Sequence, residues 1–180
     1  SDAVLVQLSY TFLYPFAILS AYSLLRVAFE VLGNPAWTKW TLLPVVGVIG
    51  TTLVLNFVFF SPAYVRTMGP IFNWSEGTAP WVQMLNTAFL ALLVGGDAAL
   101  FAWGGMKAKT PFLRLRAFLI AGGLVFVLLG LFFSYTLVFF VPQGFQVSLI
   151  VLAGAAALAG LALMLLGVYY KKEQEPFPTK

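Results

Sequence analysis

Histidine and cysteine are absent from this chain of 180 residues, and charged residues make up only 9% of it. Each absence removes a class of chemistry. Haem is ordinarily held by His, Cys or Met, zinc by Cys and His, and iron–sulfur clusters by Cys. A bis-histidine haem, an iron–sulfur cluster and a Cys/His zinc site are therefore excluded, which leaves Met and Tyr as the haem ligands on offer. No thiolate nucleophile or dithiol redox centre can form. No imidazole can serve as the base that would activate a Ser or Tyr. No metal and no protein-held cofactor is expected, and disulfides carry no information about the compartment.

The shortage of charge is equally informative. A soluble domain carries about a quarter charged residues, because its surface must face water. Here 61% of residues are hydrophobic, and they gather in long runs, which places the chain in a bilayer. The formal charge is +4, but the basic residues sit at the ends of apolar runs and form no stripe. That pattern orients a membrane protein, and no nucleic-acid partner is expected.

The reading is an all-α, integral membrane bundle of five transmembrane helices in one domain, residues 1–172, with a mobile polar tail at 173–180. The spans fall at about 4–25, 42–60, 81–103, 117–140 and 147–170. At 1.5 Å per residue each covers a hydrocarbon core of about 30 Å. Pro15 is expected to kink the first span, and Gly33-Asn34-Pro35 to stop it after Arg26 and Glu30, which are spaced for an i,i+4 pair. Trp37 and Trp40 around Lys39 read as an interfacial belt, and Pro44 as a first-turn proline of span two. Residues 61–80 hold Pro62, Pro70, Pro80, Gly69 and Gly77 and read as an interfacial connection. Within it Arg66, Trp74 and Glu76 form a candidate outer-loop contact. Pro142-Gln143-Gly144 reads as the turn between the last two spans.

Orientation follows from counting cations. With the N-terminus outside, the cytoplasmic side receives Arg26, Lys39, Lys107, Lys109, Arg114, Arg116, Lys171, Lys172 and Lys180, and the other side only Arg66. The positive-inside rule then gives N-outside and C-cytoplasmic, in a multi-pass arrangement expected for a prokaryotic inner membrane.

Asp97 is the only carboxylate well inside a span, and an ionisable residue at such depth is a functional-site hypothesis that needs a partner. It lies about 24 Å below Trp81 at helical rise, towards the basic side. Arg26 and Arg116 are its candidate cations, and Tyr22 and Ser23 its candidate hydroxyls. The first expectation is a structural ion pair; the alternatives are a proton or cation pathway, or a contact to a partner chain or polar lipid head. Gly95 and Gly96 would thin the helix beside it. Asn86, eleven residues earlier, returns to nearly the same face, near the level of Asn56, Ser134 and Ser148. Leu90 and Leu93 lie between, so two separate polar clusters are expected, one in each leaflet.

Small residues mark candidate helix-packing faces: Ala153, Ala156, Ala157, Gly160 and Gly167 on span five, and Gly123, Gly130 and Ser134 on span four. They suit equally an internal contact and the docking of another subunit. No phosphate loop, dinucleotide fingerprint or metal-ligand spacing appears, and aspartyl chemistry would need a second carboxylate at depth. Five unequal spans do not divide into inverted repeats. The expected function is a non-catalytic integral membrane subunit that packs against partner helices, surrounded by bound lipid. The alternatives are a transport or proton-pathway component centred on Asp97, and a sensor or lipid-binding module using the 61–80 connection.

Overall fold

A computed structural model describes residues 2–31, 36–60, 65–68, 71–74, 79–135 and 140–170. Five helices form: α1 (Asp2–Val31), α2 (Ala36–Val58), α3 (Pro80–Lys107), α4 (Pro111–Tyr135) and α5 (Gln143–Tyr169). All five are long and apolar enough to cross a membrane. Against the expectation of an irregular connection, Val65–Met68 (β1) pairs antiparallel with Ile71–Trp74 (β2), with Val65 opposite Trp74 and Met68 opposite Ile71. Gly69-Pro70 between the two strands is the turn signal in the sequence, while neither VRTM nor IFNW alternates.

Every helix begins before the apolar run that predicts it, and α1 and α3 also end beyond theirs. α2 starts at Ala36, so Trp37, Lys39 and Trp40 belong to it and Pro44 lies inside the helix, not in its first turn. α4 starts at Pro111, with the Thr110 hydroxyl accepting the Leu113 amide at 3.3 Å, a hydroxyl cap ahead of a proline at the first helical position. Pro142 stands at the N-cap of α5, so Gln143 and Gly144 are helical rather than part of a turn. Hydropathy reports the hydrocarbon, whereas backbone hydrogen bonds continue through the interface until a breaker stops them.

Sequence neighbours run antiparallel. α1 packs on both α2 and α3, α3 on α4, and α4 on α5, while α2 touches α3 only lightly. The core gathers Ile18, Ala21, Tyr22, Leu25, Ala28 and Phe29 of α1 with Val45, Leu90, Val94, Ala98, Phe101, Ala121 and Leu124. Apolar residues ring every helix, so amphipathicity does not say which face packs; small and polar side chains do.

The seam between α4 and α5 is built from them. A Cβ placed on Gly123 would lie 2.5 Å from the Gly160 carbonyl oxygen, and one on Gly160 would lie 2.5 Å from the Gly123 oxygen. Gly130 faces the Ala153 carbonyl and the Ala157 methyl, and Gly167 faces the Arg116 carbonyl. The two small faces therefore meet each other. Ala156 is half-buried on the same helix, and the face carrying Leu158, Leu161 and Leu165 is turned outwards.

Candidate functional site at Asp97

The interior stripe of α3 is polar at one end. Its buried residues run Val82, Gln83, Asn86, Thr87, Leu90, Val94, Asp97, Ala98, Phe101 and Gly105. The spacing of three and four is that of a single helix face. Asp97 thus points into the bundle, with 0% of its surface exposed.

Neither arginine meets it. Arg26 pairs with Glu30 at 3.1 Å on an exposed stretch of α1. Arg116 donates to the Gly167 carbonyl at 2.8 Å and to the Val168 carbonyl at 2.7 Å. The Tyr22 hydroxyl donates to the Thr38 carbonyl at 3.0 Å, and the Ser23 hydroxyl to the Leu19 carbonyl at 2.9 Å. The expected ion pair is not formed, and both Asp97 oxygens are buried with no hydrogen-bond partner. Geometry explains the failure. Gly105 packs against Ala117, and Gly105 is eight residues past Asp97, about 12 Å of helix, which is further than the neighbouring Arg116 can reach. Arg116 also has nearer acceptors, because the last carbonyls of α5 have no partner within their own helix.

The core cluster along this stripe of α3 is apolar apart from the Tyr22 hydroxyl, which is taken up by Thr38. Eleven residues back along α3 from Asp97 stands Asn86, which donates to the Asn56 side-chain oxygen at 2.8 Å. Eleven residues back along α2 from Asn56 stands the buried Val45, so the antiparallel register puts an apolar side chain at the level of Asp97. On the opposite face of α3, towards α4, Leu128 lies 3.8 Å from the place a Cβ would take on Gly95. Gly96 faces open space.

The second cluster is larger than the sequence reading had it. Asn86 meets Asn56 as its level implied, while Ser134 is half-buried on α4 and Ser148 exposed on α5. Thr52, Gln83 and Thr87 are buried beside the asparagine pair along α2 and α3, and Thr11 and Tyr14 are buried on α1. Thr52 and Thr87 escape notice because a lone threonine in an apolar run resembles any β-branched residue. Their spacing from Asn56 and Gln83, one turn in each case, was the available signal. The Asn56 amide nitrogen, the Asn86 amide oxygen and the hydroxyls of Thr52 and Thr87 are buried without hydrogen-bond partners.

Of the outer-loop candidates, Arg66 and Trp74 lie on the paired strands, opposite Asn73 and Val65 respectively, and Glu76 falls outside the described residues. Among the described residues no group of three or more acidic, His or Cys side chains could hold a metal ion. Comparison with protein-family models, curated proteins and solved structures found no match.

Proposed function

We propose that this chain is a non-catalytic membrane component that handles protons or small cations at Asp97. The observation that carries the reading is the complete burial of a carboxylate whose two oxygens meet no donor. An ionised carboxylate in an apolar interior is too costly to persist alone. Asp97 therefore holds a proton or exchanges it for a cation, and a group that alternates between such states inside a bilayer is the working part of a pathway. The structural ion pair that would have made it inert is missing, because its candidate cations are engaged elsewhere. The distribution of cations supports an orientation with the N-terminus outside and the C-terminus in the cytoplasm, in the plasma membrane of a prokaryote.

The test is proton flux in liposomes containing the purified chain, driven by an imposed potential and read by an internal pH dye. The wild type should acidify or alkalise the lumen with the sign of the potential. Asp97→Asn should abolish the signal while melting temperature and particle size stay unchanged. A wild type without flux, and an Asp97→Asn chain whose size distribution changes, would sink this reading.

That outcome would favour the second reading, a subunit packed against partner helices. Its support is α2, where Trp40 and Leu43 are about four-fifths exposed and a Cβ on Gly47 or Gly50 would meet nothing within 4 Å. Small residues on an uncovered face let another backbone approach. The sensor reading retains only the strand pairing of Arg66 and Trp74 as support.

A further inference from the structure

We propose that the polar cluster between α2 and α3 holds water and forms the leg by which protons reach Asp97 from the Pro80 end of the bundle. This inference rests on the proton-handling reading of Asp97 and adds the route and its closing point.

Thr52, Asn56 and Asn86 are each 0% exposed and Thr87 is 7% exposed, so no solvent-facing rotamer relieves them. Their unpartnered atoms include donors and acceptors together: an amide N–H on Asn56, an amide oxygen on Asn86, and two hydroxyls that can act either way. A metal cation would leave the amide donor unanswered, and an anion would leave the carbonyl oxygen so. Water answers all four, and a buried water typically makes about three such bonds. The Asn86 to Asn56 bond at 2.8 Å fixes both amides, so the free atoms are held in place.

The cluster also has a direction. Gln83 is buried one turn nearer the Pro80 end, and Thr52, one turn along α2 from Asn56, reaches the level of Leu90. From Leu90 to Asp97 is seven residues, about 10 Å of helix. That interval is lined by Leu90 and Val94, which belong to one apolar cluster with Ile18. Among the described buried residues of α2 and α3, polar hosts extend to the level of Leu90, and Leu90 and Val94 separate them from Asp97. The apolar interval is the closure of the route, crossed when water transiently enters it.

The experiment is infrared spectroscopy of the whole chain in lipid, following the carboxylic C=O band that disappears in Asp97→Asn. Transfer to heavy water shifts the band as the proton exchanges. A Thr52→Val/Thr87→Val chain, which keeps side-chain shape, should exchange more slowly by about tenfold, the rate cost of losing contacts of hydrogen-bond size. Thr52→Ser/Thr87→Ser should exchange like the wild type, which separates lost hydroxyls from disturbed packing. Leu90→Ser should exchange faster. Equal rates in the wild type and the valine chain would overturn the route and leave the Asp97 reading standing. A wild-type Asp97 band that never shifts, or is never present, would overturn both.

Discussion

Arg116 occupies itself with the end of a helix, not with the carboxylate one might assign to it. Its guanidinium closes two carbonyls in the last turn of α5, where a cation also meets the favourable end of the helix dipole. Arg116→Gln should lower stability by about 1–2 kcal/mol, as befits charged hydrogen bonds at a partly exposed site, and Arg116→Lys should recover little because a point charge cannot fork. Thermal unfolding in detergent measures both. The asparagine pair should count for less. A double-mutant cycle of Asn56→Leu and Asn86→Leu should give a coupling near 0.6 kcal/mol, since polar partners remain available to an unfolded chain in a membrane. Asp97 itself was legible in the sequence as the one deep carboxylate; its lack of a partner was not. Which arginine is free depends on where α5 ends, and residue counting along α3 cannot supply that.

Elements differ in how closely they approach. α4 and α5 touch backbone to backbone at Gly123 and Gly160, so Gly160→Leu must force the helices apart and should cost about 1–3 kcal/mol or more. Gly50→Leu on α2, with nothing within 4 Å, should change stability by less than about 0.5 kcal/mol in the isolated chain. Denaturant titration followed by circular dichroism distinguishes the two. If Gly50→Leu is instead destabilising only in native membranes, α2 has a partner there. The number of helices and the small faces of α4 and α5 can both be read from the chain. That those faces are mates cannot, because a glycine stripe fits any equally thin helix. The hairpin went unread for a different reason: two four-residue strands are shorter than the periodicity that identifies a strand with assurance.

On the scale of the whole molecule, the absence of cysteine makes orientation directly measurable. Ala79→Cys and Thr110→Cys each introduce a unique thiol at opposite ends of the bundle. With the N-terminus outside, an impermeant maleimide should label Ala79→Cys in intact cells and Thr110→Cys only after lysis; the reverse pattern would invert the assignment. The packing order has a consequence for how the bundle is made. α1 touches α3 across the intervening α2, whereas every other substantial helix contact joins sequence neighbours. During synthesis α1 and α2 can pair at once, and α4 and α5 can close their glycine seam as a unit. α3 must find α1, and because Asp97 shares a helix face with Asn86, which meets α2, its carboxylate turns towards helices already in place. The newly inserted third helix can thus turn its carboxylate against the first pair before α4 is made.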